Sequence, residues 1–143
     1  MKEVVTEIEI NASPEHVWEI LTDFAAYGKW NPFLYRVIGE ANLDTQVRTF
    51  VKTLGRETKL NCHIITLEPN RELCWSWHIF WPGLYSGEHS FTIAPLDGNR
   101  VRFVNREVFS GLLVPLFRKT LDRDTASGFK AMDQALKTRA EQP

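Results

Sequence analysis

Only two cysteines, Cys62 and Cys74, occur in the 143 residues, and neither stands in metal-ligand spacing. That count excludes a disulfide-rich scaffold, and free buried thiols are expected instead. Long apolar runs are also missing, so no segment reads as a bilayer span. Met1 to Glu9 alternates charged and apolar residues and holds no secretory apolar stretch, and a cytoplasmic protein is expected. No basic block is present: 17 Lys and Arg stand against 18 Asp and Glu, a formal net charge of -1. A phosphate backbone would find nothing to follow, so nucleic acid is not an expected partner.

Several motifs of catalysis are absent as well. There is no Gly-rich phosphate loop, no nucleophile elbow around a serine and no paired-histidine helix motif. His16, His63, His78 and His89 fall on separate elements, so neither a metal site nor a cofactor is expected. Asp122, Arg123 and Asp124 read as a solvated face.

What is present is a core-forming composition, 43% hydrophobic and 12% aromatic, enough for one domain over residues 1–143 without staples. Thr6, Ile8 and Ile10 alternate with Glu7 and Glu9, the pattern of a strand with one buried face. Ser13 offers an N-cap and Pro14 a first helical residue, making Val17, Trp18 and Leu21 the inner stripe of a short helix. A further helical turn or two through Phe24 and Tyr27 ends at Trp30, because Pro32 disfavours helix at Asn31.

From Phe33 to Phe109 the pattern is that of a meander of about six strands. Breaks are expected at Glu40 to Asp44, Gly55-Arg56, Pro69-Asn70, Trp81-Pro82-Gly83 and Asp97-Gly98. Beyond Gly111 the period changes: Leu113, Phe117, Leu121, Thr125, Phe129, Met132 and Leu136 recur every three or four residues. Arg118, Lys119, Lys130 and Lys137 fall on other faces of this long amphipathic helix. A curved antiparallel sheet with an apolar inner face needs a cover, and only this helix is long enough.

Four segments carry a resemblance across the whole chain. They are Ala12-Ser13-Pro14-Glu15-His16-Val17-Trp18 with Asp23, Trp30-Asn31-Pro32-Phe33, Gly87-Glu88-His89-Ser90-Phe91, and Asn105-Arg106-Glu107-Val108-Phe109-Ser110-Gly111-Leu112-Leu113. Together they resemble the polyketide cyclase/dehydrase and lipid-transport group of the SRPBCC (START-like) superfamily. The resemblance implies an α+β helix-grip fold: a curved sheet of about seven strands around a long C-terminal helix, two short helices after the first strand, and a tunnel between sheet and helix. It also brings one departure. Asn105 stands where many relatives carry a histidine, so a proton-transfer role of that histidine is not implied here.

Register follows from the turns. If Asp97-Gly98 closes the last hairpin with apolar faces in agreement, His89 lies opposite Glu107 and Phe91 opposite Asn105. The same reasoning at Trp81-Pro82-Gly83 sets Trp77 near Gly87 and Trp75 near His89, with Gly87 leaving space for the indole. The expected ligand wall is Trp75, Trp77, His89, Phe91, Asn105, Glu107 and Phe109, with Phe129 from the helix: aromatic surface with a few convergent polar groups.

Each feature also has a plain structural reading. His89 and Glu107 can be a buried pair that satisfies itself, Glu107 can face solvent under a shifted register, or the two can be a pair poised to donate and accept a proton. Trp75 and Trp77 can be ordinary core, and Trp18 and Trp30 read as packing of the short helices. Phe80 to Tyr85 is an apolar hairpin tip: it packs on a neighbouring loop, or it rims the tunnel and touches a membrane, a partner or a second copy of the chain. Leu112 to Phe117 offers the other lip.

Three functions stay open at this point. The first is a binder of an apolar small molecule such as a lipid, isoprenoid, quinone or polyaromatic. The second is a cyclase/dehydrase-like enzyme with His89 and Glu107 as its catalytic residues. The third is a protein-interaction module with a small or filled cavity.

Overall fold

Alternation of apolar and polar residues produces seven strands, and the helical periods flanking them supply the cover. In the computed structural model, which describes residues 1–53 and 56–143, β1 (Lys2–Ile10) leads into α1 (Pro14–Thr22) and a 3-10 helix (Phe24–Lys29). The strands β2 (Leu34–Ile38), β3 (Gln46–Thr53), β4 (Arg56–Glu68), β5 (Glu72–Ile79), β6 (Tyr85–Leu96) and β7 (Arg100–Ser110) follow. The chain ends in α2 (Val114–Thr120), a π-helical turn (Leu121–Thr125) and α3 (Ala126–Ala140). All strand pairs are antiparallel, in the order β1-β7-β6-β5-β4-β3-β2. The sheet is a curved half-barrel closed over by the 27-residue C-terminal helical stretch.

Local chemistry accounts for the first elements. Ser13 Oγ accepts from the His16 amide at 3.1 Å and Pro14 occupies the first turn of α1, which buries Val17 and Leu21 and leaves Trp18 half-buried. Trp30 caps the 3-10 helix. Asn31 Oδ1 then accepts from the Phe33 and Leu34 amides, turning the chain into β2.

The expected breaks fall between strands, with bounds shifted by a residue or two. Asn70 and Asn99 take positive φ at 65° and 57° beside two of them, as short polar side chains allow. Of the break expected at Gly55-Arg56, Gly55 lies outside the described residues, and Arg56 already belongs to β4. A bulge between Ile64 and Thr66 bends β4. It moves the inward face from Cys62 and Ile64 to Leu67, which pairs with the fully buried Leu73.

The C-terminal helix corrects one expectation. The stripe Leu113, Phe117, Leu121, Thr125, Phe129 repeats every four residues, and in an uninterrupted α-helix each such step drifts by ~40° around the axis. The π-helical turn at Leu121–Thr125 absorbs that drift, and Leu121, Thr125 and Phe129 are all buried. Upstream of it the stripe fails. In α2 only Val114 is buried, and Pro115 to Lys119 are exposed in succession.

Candidate functional site

Hairpin register places the polar groups of the interior. His89 pairs with Glu107, Phe91 with Asn105, Trp75 with His89 and Trp77 with Gly87, as the turn chemistry predicts. A Cβ on Gly87 would lie 2.5 Å from three atoms of the Trp77 indole. The absence of a side chain at residue 87 is therefore what lets the indole lie across β6.

These side chains form one chain of contacts. Trp77 Nε1 donates to Glu107 Oε2 at 2.7 Å, and Glu107 Oε1 faces His89 Nδ1 at 3.6 Å, with 8% and 3% of the two side chains exposed. His89 Nε2 meets Asn105 Oδ1 at 2.6 Å. Asn105 Nδ2 donates to Asp133 Oδ1 at 3.0 Å, and Thr6 Oγ1 donates to Asp133 Oδ2 at 2.6 Å. The imidazole lies close to the rings of Phe91, at 4.2 Å between centroids, and of Phe129, at 4.9 Å.

Proton positions follow from this geometry. Because the Asn105 amide gives its N–H to Asp133, its oxygen faces His89, and Nε2 must carry a hydrogen. Nδ1 is left facing the Glu107 carboxyl. At 3.6 Å the pair is an electrostatic contact and not a hydrogen bond. Burial pushes the Asp133 carboxyl above its ordinary value, opposed by hydrogen bonds from Thr6 and Asn105 and by the charge of His89.

Beside this network lies a cavity of about 270 Å³ between the inner face of the sheet and the α2–π segment. Trp75, Trp77, His89, Glu107 and Phe109 line it. Phe91, Asn105 and Phe129 do not: they are fully buried behind the wall, supporting His89. The remaining lining includes Thr49, Val51, Leu60, Tyr85, Phe117, Leu121 and Thr125. Burial pushes the Tyr85 phenol up to about 12, so at neutral pH it is a neutral hydroxyl.

Sequence reasoning missed two parts of this arrangement. Tyr85 shares the inward parity of Gly87 and His89, but its place in the apolar tip hid it. Asp133 looked like any helical acid, and its signal was indirect: Thr6, a polar residue on the inward face of β1, sits opposite Asn105. Asp124 also departs from the solvated reading, since its Oδ2 is buried with no hydrogen-bond partner among the described residues. Among the described residues, no three His, Cys, Asp or Glu side chains are grouped to hold a metal. No described helix is long and apolar enough to cross a membrane.

The fold is shared with solved structures. One is a hypothetical protein from Helicobacter pylori, with a TM-score of 0.82 and 17% identity over 98% of this chain and 88% of that one. A second is the Zhui aromatase/cyclase from a Streptomyces species, with a TM-score of 0.81 and 21% identity over 98% and 93%. A third is a START superfamily protein from Mycobacterium smegmatis, with a TM-score of 0.77 and 22% identity over 98% and 97%. At these identities the likeness is one of fold. No curated protein matches the chain. Residues 1–141 match the family described as polyketide cyclase / dehydrase and lipid transport, and with that match across a seven-stranded helix-grip fold the chain belongs to this SRPBCC, START-like family.

Proposed function

We propose that the protein binds a compact, largely apolar small molecule in the cavity between the sheet and the α2–π segment, with the His89–Glu107 pair orienting one polar group of it. The observation that carries this reading is an aromatic-walled chamber with a buried histidine and carboxyl group side by side on its wall. Its size narrows the ligand class. About 270 Å³ lies just below the ~300–1,000 Å³ range of ligand pockets. One or two rings, or a short isoprenoid, suit that space; a two-chain lipid does not. The driving force is burial of apolar ligand surface, at ~25 cal/mol per Å².

The test is titration of the purified protein with N-phenylnaphthylamine, followed by fluorescence, together with mass spectrometry of an organic extract of the native protein. Saturable 1:1 binding that competes with an extracted ligand supports the proposal. No saturable binding, with an empty extract, overturns it.

A second reading is favoured by one specific feature. The pair faces the cavity, while Nε2 of His89 is anchored through Asn105 to Asp133. Such a pair can protonate a carbonyl oxygen or take a proton next to it, and the chamber would hold a flexible poly-carbonyl chain in a reactive fold. On this cyclase/dehydrase-like reading, Glu107→Gln removes turnover and leaves probe affinity within a few-fold. Turnover that survives both Glu107→Gln and His89→Ala would eliminate it.

A further inference from the structure

Two apolar segments meet at the cavity mouth and leave their largest side chains in water. In the β5–β6 tip Phe80 is 84% exposed and Trp81 55%; at the start of the C-terminal helix Leu112 and Leu116 are each 76% exposed. The segments are joined to each other. The Leu112 amide donates to the Gly83 carbonyl at 3.1 Å and the Leu113 amide to the Leu84 carbonyl at 3.0 Å. Gly111, at a φ of 113°, brings the two backbones so close that a Cβ there would lie 2.4 Å from the Leu84 oxygen. The four side chains therefore stand on one braced platform. The platform adjoins the cavity through Tyr85 and Phe117, whose rings are 5.3 Å apart and both line it.

The tip is held in a strained form. Phe80 has a φ of 63°, and the Trp81 amide bonds back to the Ile79 carbonyl at 2.8 Å, a γ-turn of the rare positive-φ kind. A bulky residue seldom adopts this conformation. Here it carries an aromatic ring away from the core and into solvent.

Charge identifies what covers the platform. Ile79 to Gly87 and Val108 to Leu121 hold no Asp or Glu, and their only charged residues are the cations Arg118 and Lys119, both exposed on α2 beside Leu116. Asp122, the next acid, is paired with Lys2. A third exposed cation, Arg56 at the start of β4, lines the cavity, which Arg118 and Lys119 do not. Exposed aromatic and leucine side chains beside unopposed cations match the boundary between headgroups and acyl chains of an anionic bilayer. In a chain of net charge -1, this is a local feature and not a bulk one.

We propose that the β5–β6 tip and α2 form a docking platform for an anionic membrane surface, seating the cavity mouth against the lipid. A compact apolar molecule dissolved in the bilayer would then pass into the cavity without crossing water. The platform stands on its own observations, and ligand binding measured without vesicles tests the cavity separately.

The experiment is co-sedimentation of the full chain with two sets of vesicles, one of phosphatidylcholine alone and one of equal parts phosphatidylcholine and phosphatidylserine. Binding is expected only to the second. Trp81→Ser with Leu116→Ser should weaken it at least about tenfold, since two apolar anchors no longer enter the interface. Arg118→Gln with Lys119→Gln should weaken it about twenty-five-fold, at roughly fivefold per cation near the surface. None of these four residues lines the cavity, so N-phenylnaphthylamine affinity and thermal midpoint should hold. Brominated phosphatidylcholine included in the anionic vesicles should quench the native protein more than Trp81→Phe, which keeps the apolar anchor. Failure to sediment with anionic vesicles, or equal binding to both sets, overturns the proposal. So does concentration-dependent self-association that Leu116→Ser abolishes, which would give the platform to a second copy of the chain.

Discussion

The two ends of the interior are made from similar residues and behave differently. Where α3 packs on β1 and α1, the molecule is solid: Ile10, Val17, Leu21, Phe91, Phe103 and Leu136 are completely buried. Where α2 and the π-turn run past β3, β4 and the β5–β6 hairpin, the space is hollow, and Leu60, Ile79, Tyr85 and Phe117 are only partly covered. The solid end has a helix resting on the sheet. Gly128 marks the passage from one end to the other, since a Cβ there would lie 2.4 Å from the ring of Phe33, which precedes β2 and lines the cavity. At the hollow end α2 buries only Val114. Apolar composition thus makes a core only where a second layer arrives to close it.

The sharpest way to break this comparison is truncation at both ends. Phe103→Ala at the solid end should cost ~3–5 kcal/mol, whereas Leu60→Ala on the cavity wall should cost ~1–2 kcal/mol, because little new void is created beside an existing one. Urea unfolding measures both, and equal losses would mean that the chamber is closed up in solution.

Next in size is Asp133→Ala, expected at ~1–3 kcal/mol, since it strands the Thr6 hydroxyl and the Asn105 amide in the interior. Asp133→Asn should be milder, because Thr6 can turn its hydroxyl. The pH dependence has a definite sign. The folded carboxyl is raised by burial, so the native state holds its proton after the unfolded chain has lost it. Its contribution to stability is greatest below the ordinary carboxylate range and falls as pH rises to the folded value. Asp133→Asn should lack this decline, a difference visible in thermal midpoints across acidic pH.

Gly87→Ala comes third. Its new methyl group drives the Trp77 indole away and breaks the bond to Glu107, at a cost of ~1–3 kcal/mol. Probe affinity should fall with it in fluorescence titration. Val51→Phe sharpens the contrast further: on the hollow wall the ring should fit for less than ~1.5 kcal/mol yet abolish N-phenylnaphthylamine binding.

The smallest effect concerns the thiols. Burial pushes both Cys62 and Cys74 up to about 12, so at mildly alkaline pH neither offers a thiolate. Iodoacetamide should label the native protein only as fast as it opens, and mass spectrometry reads the result. Prompt labelling of either cysteine would show that its strand is not seated as described.

Much of the fold was legible because its signals are local. Alternation around Ile8 and Ile10, the Ser13-Pro14 cap and the turn at Asp97-Gly98 each act within a few residues. Pairing of His89 with Glu107 was legible for the same reason, since a hairpin closed at a known turn carries its register outward one residue at a time. The π-turn was not, although its trace was there in the four-residue spacing from Leu113 to Phe129. Nor were Phe91, Asn105 and Phe129 separable from the true wall, because parity tells which face a side chain takes and not how deep it lies.

What the amino-acid order determined by itself is the element sequence, the strand register and the face on which Trp75, Trp77, His89, Asn105 and Glu107 lie, all consequences of short-range geometry. Tertiary structure alone decided that α3 closes the interior over Phe91 and Phe103, while α2 stands off and leaves a chamber at Trp77 and Tyr85. It also brought Asp133 across to Thr6 and Asn105. Those outcomes depend on where a helix 27 residues long settles on a curved sheet, a balance of contacts between residues 28 positions apart, as in Asn105–Asp133, and 127 apart, as in Thr6–Asp133.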